Sequence, residues 1–363
     1  MKFIQISDPQ LGYKQYGLQA RYDDFIRIHD NIVEFTVARK PDAVVYCGDI
    51  FEKYMRSADL EMYLRNKVKY MQGHGIRVLG IEGNHDKLNT NASLEICDIE
   101  PLDLSSTHPR MTDVHGVKFW GINYCPPGPE FREKLAQVPE GVDVLVLHQT
   151  LAEVCPIAAD ISAQELVDIV KPLGVRYVAM GHIHGSWQNC IDGVHLVYAG
   201  STEMTDIDER IDKYIYSVEL QGEKPLKPKV TMHKLNTRPI KRLVIDTAEQ
   251  AEELIADMTH EKENIALYVL SVARGLSKMI PRMEQAARMG KVLFHVNKIH
   301  DEGKGMVKIR PFERANASTD LKAVVLEKWP IDSEQYSLIT EILNRPEDLV
   351  NICNNYMTAK GAL

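Results

Sequence analysis

The chain has 363 residues, 44% of them apolar and 26% charged, which is the composition of a globular protein large enough for more than one domain. No stretch approaches the roughly 20 apolar residues that a membrane-spanning helix needs. The N-terminal MKFIQISD leads directly into a strand-like segment, with no room for a signal peptide. The six cysteines are scattered without a CxxC pair, which disfavours a disulfide framework or a thiolate zinc site and predicts reduced thiols in a cytoplasm.

The formal net charge of −8 at pH 7 argues against a protein that grips nucleic acid mainly through its own charge. The acidic excess is uneven, because residues 236–330 carry 16 Lys and Arg against 13 Asp and Glu. This middle segment is the only basic part of the chain, and it is only mildly basic. A polyanionic substrate would therefore need positive charge from bound cations or from a partner.

Residues 1–235 alternate short β-rich runs with amphipathic stretches such as Ala20–Arg39. The short runs are rich in Val, Ile, Leu or aromatic residues and are bounded by Gly, Pro or Asp, as buried strands are. This alternation predicts a layered α/β domain over residues 1–235, closed by the Lys- and Pro-rich run LQGEKPLKPKV (220–230). The predicted strands are Lys2–Ile6, Ala43–Cys47, Arg77–Ile81, Val117–Ile122, Val142–Leu147, Arg176–Met180 and His195–Ala199.

A second alternation begins near Leu243. The runs RLVIDT, IALYVLSV and KVLFHVN are separated by helical patterns near 248–259 and 277–289, which predicts a small α/β cap domain over residues 236–330. Residues 331–363 form two short amphipathic patterns split by Pro346. They predict a short helical tail, with partner binding and folding back on the cap as alternative uses of its apolar faces.

Five short motifs stand where predicted strands end, which is where open α/β sheets place their sites. A glycine precedes three of the motif residues, where the backbone can turn sharply and bring a side chain close to an ion. Asp, Asn, Gln and His together supply mixed oxygen and nitrogen ligands suited to hard or borderline divalent ions. Each motif occurs by chance when taken singly, but their order and positions together predict a metal site. The motifs are Ser7-Asp8-Pro9-Gln10, Gly48-Asp49, Gly83-Asn84-His85-Asp86, Leu147-His148-Gln149 and Gly181-His182-Ile183-His184.

In this order the motifs resemble those of the calcineurin-like metallophosphoesterase superfamily. The chain is more narrowly similar to the double-strand-break repair nucleases, bacterial SbcD and its archaeal and eukaryotic meiotic-recombination counterparts. The narrower resemblance rests on LGYKQYGLQARYDDF, GDIFEK, IEGNHDK, LHQT and AGSTE, and it is strongest over residues 1–205. It implies a layered β-sandwich flanked by helices, together with the small cap domain and the helical tail.

The resemblance also implies two divalent metal ions bridged by Asp49, with Mn²⁺ expected and Mg²⁺ as the alternative. His85 would stabilise the transition state or protonate the leaving oxygen, and Asp86 would orient its imidazole. Substrate-binding residues are not assigned. The implied ligands are Asp8, Gln10 and His184 for the first metal, and Asn84, His148 and His182 for the second, with Asp49 shared.

Two positions depart from the family pattern. Gln10 stands where the family carries His, and its neutral amide oxygen predicts a first metal that is held less tightly. Glu52 stands where the nucleases carry His after Gly-Asp. A carboxylate there would repel a DNA backbone, although a solvated residue at a helix start explains it equally well.

The leading prediction for function is a divalent-metal-dependent DNA exo- and endonuclease that processes DNA ends with an SMC-like ATPase of the SbcC type. The cap and the LGYKQY and GSTE stretches favour this function. The acidic balance favours two alternatives, a phosphatase or phosphodiesterase for small molecules or phosphoproteins, and a weakly active or inactive scaffold subunit. The family also implies a homodimer, and an apolar stripe is predicted either to form its interface or to lie in the core. The stripe is Leu60, Tyr63, Leu64, Val68 and Met71.

Overall fold

A computed structural model describes residues 1–300, except for residues 54, 87–91, 104–110, 127, 156–158, 208, 210–211, 223 and 261–265. Residues 1–300 form one compact unit. The described part of the chain contains two six-stranded sheets, one three-stranded sheet and seven α-helices. The predicted tail 331–363 and the predicted cap residues 301–330 lie outside the described residues.

The first sheet contains β1 (Lys2–Ile6), β2 (Ala43–Cys47), β3 (Arg77–Ile81), β4 (Glu100–Pro101), β11 (Tyr214–Gln221) and β12 (Lys227–Lys234). Its order is β12-β11-β1-β2-β3-β4. Strands β1 to β4 pair in parallel, while β11 pairs antiparallel with both β1 and β12. The sequence predictions for β1, β2 and β3 are confirmed to the residue. Parallel pairing brings the carboxyl ends of these three strands to one edge.

The second sheet contains β5 (Thr112–Val114), β6 (Val117–Ile122), β7 (Val144–His148), β8 (Tyr177–Gly181), β9 (Trp187–Ile191) and β10 (Val194–Tyr198). Its order is β5-β6-β7-β8-β10-β9, and β6, β7, β8 and β10 are parallel. The prediction for β6 is confirmed. The other predicted strands of this sheet differ from the observed ones by one or two residues at their ends.

Two layers of side chains join these sheets face to face. The Phe3 ring meets the rings of Phe119 and Tyr177 edge-on, with centroids 5.5 and 5.6 Å apart. Buried Gln5 is satisfied across the same interface, since its Nε2 donates to the Val197 carbonyl oxygen at 2.9 Å and its Oε1 accepts from the Tyr177 hydroxyl at 2.6 Å. The predicted layered sandwich of two sheets is confirmed.

Helices cover the outer faces of both sheets. α1 (Gln19–Arg39) and α2 (Ala58–Gly73) pack on the first sheet beside α3 (Ala92–Ile96), while α4 (Pro129–Leu135) and α5 (Ala163–Val170) pack on the second. The apolar stripe of α2 faces inward, because Leu60, Leu64, Val68 and Met71 are buried against β1 and β2. While the homodimer itself stays a prediction, the core alternative is confirmed for this stripe. Its apolar residues are needed for the core.

The run 220–230 lies at the edge of the first sheet. It contains the end of β11, a turn and the start of β12, which pair antiparallel as the two longest strands of the first sheet. The Lys and Pro residues fit this role because β12 is an edge strand, where Pro228 need not donate to a further neighbour and charged side chains meet solvent.

The small α/β unit comprises β13 (Ile240–Ile245), α6 (Ala248–His260), β14 (Leu267–Ala273), α7 (Ile280–Met289) and β15 (Leu293–His300). Its three strands are parallel in the order β13-β14-β15. Both helices cover one face, where Met258, Leu270 and Met283 are buried. On the opposite face, Ile240 and Leu267 are buried together with Met204, which precedes the small unit in the chain.

The cysteines and the helices bear on the two predictions made from composition. The five cysteines there are free, and three of them are buried, whereas Cys353 lies outside. No helix in the described part of the chain is both long and apolar enough to cross a membrane.

Candidate metal centre

All five sequence motifs meet at the carboxyl ends of five parallel strands. In the first sheet, Asp8 follows β1, Asp49 follows β2 and Asn84 follows β3. In the second sheet, His148 is the last residue of β7, and His182 follows the last residue of β8. The two sheets face each other, so the strand ends of both deliver their side chains to one place, as expected for sites in parallel sheets.

Two of the predicted histidine ligands converge on the side-chain oxygen of a third predicted ligand, Asn84. Asn84 Oδ1 lies 3.1 Å from His148 Nε2 and 2.9 Å from His182 Nδ1. The His148 ring is oriented from behind, since its Nδ1 donates to the Cys47 carbonyl oxygen at 2.7 Å. That bond turns Nε2 of His148 toward the site.

Asp49 belongs to both groups of side chains that could hold a metal ion. One group is Asp49, His148 and His182, and the other is Asp8, Asp49 and His184, with the ligand atoms of each group within 4.8 Å of one another. Asp49 Oδ1 lies 3.5 Å from His148 Nε2, and Asp8 Oδ1 lies 3.9 Å from His184 Nε2. Because the two groups share one carboxylate, they could together hold two neighbouring ions.

Gln10 faces this centre and does not point away from it. Its Nε2 donates to Asp49 Oδ2 at 3.2 Å, and the residue is 1% exposed. Its Oε1 is buried and has no hydrogen-bond partner among the described residues. A buried acceptor without a partner is costly, so the amide oxygen is available to a ligand.

The backbone at the strand ends is bent into unusual conformations. Asp8, Gln10, Asp49 and His182 all have positive φ angles, of 47°, 47°, 48° and 87°. Non-glycine residues adopt this region infrequently, and a cluster of such residues marks a functional site. These turns aim consecutive polar side chains back over the strand ends.

The glycines of the motifs serve mainly to let chains approach one another. A Cβ on Gly83 would lie 2.1 Å from Asp49 Oδ1, and a Cβ on Gly181 would lie 2.0 Å from the Cys47 carbonyl oxygen. Only Gly48 also needs its freedom at φ, which is +88°. The predicted sharp turn therefore applies to Gly48, and close packing explains the other two.

Charge in the centre is concentrated and buried. Burial raises the pKa of the Asp8 carboxyl, although the nearby His148 and His184 act in the opposite direction. Burial also acts to raise the Asp49 pKa, but His148 and His85 together outweigh burial and bring the Asp49 pKa down to about 2. Burial, helped by His148, lowers the pKa of His182 to about 4, so His182 is a neutral imidazole at pH 7 and is suited to be a metal ligand.

These residues fit a pair of divalent cations. Two buried carboxylates, one amide oxygen and three imidazoles surround the centre, and Gln10 adds the buried oxygen that has no described partner. Buried carboxylates are stable when they are paired or when they coordinate a metal ion. Oxygen and imidazole ligands without thiolates suit Mn²⁺, Mg²⁺ or Zn²⁺.

The two residues predicted to be catalytic have different surroundings from those expected. The His85 imidazole is held by the main chain of Glu52, whose carbonyl oxygen lies 2.7 Å from His85 Nδ1. Asp86 does not orient this ring in the structure. Its buried carboxylate accepts the N–H groups of Ile50, Phe51 and Gly83 at 3.2, 3.0 and 2.9 Å, which ties the second and third motifs together.

Several residues that support the centre were missed by sequence reasoning. Glu209 lies 2.7 Å from His184 Nδ1 and 2.5 Å from the buried ammonium of Lys213. Thr205 Oγ1 is also 2.7 Å from His184 Nδ1. The only signal in the sequence was that this acidic stretch follows the AGSTE run.

A buried ionic network explains why two distant stretches accompany the metal motifs. Arg21, in the stretch that follows the first motif, is 0% exposed and donates to Gln15 and Asp24 at 2.8 Å each. It also reaches Glu203 Oε1 and the Met204 carbonyl oxygen at 3.3 and 2.9 Å. The LGYKQYGLQARYDDF and AGSTE stretches are therefore in direct contact next to the centre.

Comparison with known proteins agrees with this geometry. The family model for the calcineurin-like phosphoesterases matches residues 1–186. The DNA double-strand break repair protein Mre11 of Archaeoglobus fulgidus is 29% identical over 241 residues, which are 61% of this chain and 54% of that protein. The Mre11 proteins of Aeropyrum pernix and Saccharolobus solfataricus are 26% and 24% identical, over 68% and 70% of this chain and 64% and 69% of their own lengths.

The chain thus spans between about half and two thirds of the length of the first two relatives. The matched family region contains Asp8, Asp49, Asn84, His148 and the two histidines that follow β8, which are the residues that the fold brings together. The match covers more than half of the chain, and the chain belongs to the calcineurin-like phosphoesterase family.

Proposed function

We propose that this protein is a divalent-metal-dependent nuclease that hydrolyses DNA phosphodiesters during the processing of DNA ends. The observation that carries the proposal is the sharing of Asp49 by two ligand groups at the strand ends. Support for DNA as the substrate comes from relatives that are named as DNA double-strand break repair proteins. We propose Mn²⁺ as the working metal, with Asp8, Gln10 and His184 around the first ion.

The second ion would be held by Asn84, His148 and His182, with Asp49 between the two. When bound, such a pair of ions supplies an activated water and stabilises charge on the phosphodiester. The side chains keep the centre ordered for this task. The Asp49 carboxylate accepts hydrogen bonds from the backbone N–H of His85 at 2.8 Å and from Gln10 Nε2 at 3.2 Å. Because these donors already orient the carboxylate, it needs little reorganisation at the moment of reaction.

His85 is proposed to act on the substrate itself. Its side chain is 39% exposed beside buried Asp49, and its Nε2 lies 3.9 Å from Asp49 Oδ2. Since the Glu52 carbonyl oxygen can only accept, Nδ1 of His85 carries a proton. Nε2 is then the nitrogen from which the ring, when protonated, can donate to the leaving oxygen as a general acid.

One set of assays tests the proposal. The protein is incubated with Mn²⁺ or Mg²⁺ and labelled single- and double-stranded DNA, in linear and circular forms that separate exonuclease from endonuclease cleavage. A chromogenic phosphodiester and a phosphomonoester are assayed in parallel. We expect cleavage of DNA and of the diester with Mn²⁺. Metal binding with no DNA cleavage under any condition would overturn the assignment as a nuclease.

A second candidate function is supported by the acidic balance of the chain. The net charge of −8, together with Glu52 beside His85, favours a small phosphoester substrate over a long polyanion. A phosphatase would hydrolyse the phosphomonoester faster than the diester and leave DNA intact. A weakly active scaffold subunit would bind metal and show only slow hydrolysis of every substrate.

We further propose that an SMC-like ATPase supplies much of the grip on DNA and binds the segment 331–363, which lies outside the described residues. Removing residues 331–363 should abolish co-purification with such an ATPase and leave cleavage of the chromogenic diester unchanged. If the shortened chain still co-purified with the ATPase, the binding site would lie elsewhere.

A further inference from the structure

The segment 201–209 connects the metal centre to the small α/β unit. Within it, Thr205 and Glu209 contact the ligand His184, while Met204 is 1% exposed and packs against β13 and β14. The described residues of this segment therefore contact the proposed first metal site through Thr205 and Glu209, and the small unit through Met204. Residue 208 is outside the described part of the segment.

The contact of Glu209 with His184 determines which ring nitrogen is free. Glu209 Oε1 lies 2.7 Å from His184 Nδ1, and a carboxylate can only accept. The proton of the neutral ring is therefore on Nδ1. Nε2 keeps its lone pair and lies 3.9 Å from Asp8 Oδ1, on the side where the first metal is proposed to bind.

Glu209 is itself held in place by buried partners. The Lys213 ammonium, whose side chain is 2% exposed, donates to Glu209 Oε2 at 2.5 Å and to the Ser201 hydroxyl at 2.7 Å. The same ammonium reaches the His184 carbonyl oxygen at 3.2 Å. Lys213 thus balances the charge of Glu209 and fixes both residues of the His184–Glu209 pair.

The small α/β unit holds the main chain at this point. Arg242, on β13, donates from Nη2 to the Glu209 carbonyl oxygen at 2.6 Å and lies 3.6 Å from the Met204 sulfur. Met204 is also buried with Ile240 and Leu267 of the same unit. Arg242 and Met204 therefore link β13 to the segment that carries the Glu209 carboxylate.

We propose that Glu209 is a positioning residue for His184, and that the small α/β unit, through Arg242, sets how tightly the first metal ion is held. The proposal rests on the two-metal function proposed above and goes beyond it, because it makes one of the two sites responsive to a distant part of the fold. The second site lacks this link in the described residues, since His148 is held by the Cys47 main chain within the sheets.

The test compares Mn²⁺ binding by calorimetry in the full-length protein and in two variants. Glu209→Gln keeps the size of the side chain and removes its charge, and we expect the weaker-binding site to lose about tenfold or more in affinity, the usual effect of losing such a partner. Arg242→Met keeps an apolar stem beside Met204 and removes the donor to Glu209. We expect a smaller loss, of a few-fold, at the same site.

Matched controls separate this effect from a general loss of structure. Glu165→Gln and Arg282→Met remove a charge from exposed ion pairs, with Arg132 and with Glu252, and should leave both metal affinities unchanged. Thermal unfolding of every variant identifies any that fail to fold. Long-range ¹H–¹⁵N spectra of the histidine rings give a readout that a merely structural role would not move, since Glu209→Gln should alter the tautomer balance of His184.

The outcomes are distinguishable. If the wild-type protein bound no Mn²⁺, the proposed two-metal function would fail. If it bound two ions and Glu209→Gln, folded, bound both with unchanged affinity, the positioning role would be overturned. If Glu209→Gln weakened one site while Arg242→Met did not, the link to the small α/β unit would be wrong. Weakening of one site by both variants, with an altered His184 spectrum for Glu209→Gln, supports the proposal.

Discussion

The two groups of candidate ligands differ in what holds their histidines. His148 lies at the end of a central strand, and its Nδ1 donates to the Cys47 carbonyl oxygen of the facing sheet. His184 lies in a loop, and its Nδ1 contacts side chains of Glu209 and Thr205. Main-chain support comes with the fold and survives any substitution that preserves the sheets. Side-chain support depends on residues that can change singly, so this half of the centre is open to adjustment.

Each half of the centre is one proposed metal site, the first with Asp8, Gln10 and His184 and the second with Asn84, His148 and His182. The comparison predicts that a substitution changes metal binding in one half, in both or in neither. Replacing the shared carboxylate affects both halves, and replacing the proposed general acid affects neither. Replacing Gln10 or a contact of His184 affects the first half alone.

Asp49→Asn should weaken metal binding in both halves of the centre at once. An amide cannot bridge two cations as a carboxylate does, so we expect hydrolysis of a chromogenic phosphodiester to fall by on the order of 10³-fold. Folding should persist, since the substitution keeps the size of the side chain. Metal content by plasma emission and the rate of hydrolysis are measured on the same samples. A variant that kept both ions and near-normal rates would show that Asp49 does not bridge them.

His85→Ala should leave both halves intact and still slow the reaction. The ring is a proposed proton donor and not a ligand, and general acid catalysis contributes at least about 10²-fold. Metal content should equal that of the wild-type protein while the rate falls. Loss of the metal ions together with the rate would mean that His85 is needed for binding them.

Gln10→His should strengthen the first half alone. Imidazole is a stronger ligand than a neutral amide for first-row divalent ions, so we expect about tenfold tighter Mn²⁺ binding at the weaker site, or roughly 1.4 kcal/mol. Hydrolysis at limiting Mn²⁺ should rise, with little change at saturation. Calorimetric titrations of the two proteins are compared, and identical isotherms would mean that Gln10 is not a ligand.

Thr205→Val should produce the smallest effect, again on the first half. The substitution removes a hydroxyl that lies 2.7 Å from His184 Nδ1, and one hydrogen bond contributes about 1 kcal/mol, or roughly fivefold in affinity. Thr259→Val is the matched control, because that hydroxyl donates to the Ile255 carbonyl oxygen on exposed α6. Equal effects of both substitutions on Mn²⁺ affinity would break the contrast between the two halves.

Much of the sandwich was predictable because its strands are short, apolar and bounded by turn residues. β1, β2, β3 and β6 have the predicted bounds. The edge strands β9 and β12 were missed, since their exposed residues lack an apolar pattern. The α2 stripe shows a related limit. An apolar helix face predicts burial, but only the packing of α2 against the first sheet decides that its partner lies within the same chain.

The motifs at successive strand ends indicated which side chains would come together, because the carboxyl ends of parallel strands meet at one edge of a sheet. Tertiary structure alone decided how these residues are supported. Glu209 and Lys213 follow no strand-end pattern, and their contacts with His184 join residues that lie 25 and 29 positions apart in the chain. Asp86 likewise turned out to bind three backbone N–H groups and not His85. Local sequence specifies strands and turns, whereas contacts between loops depend on the positions of every element around them.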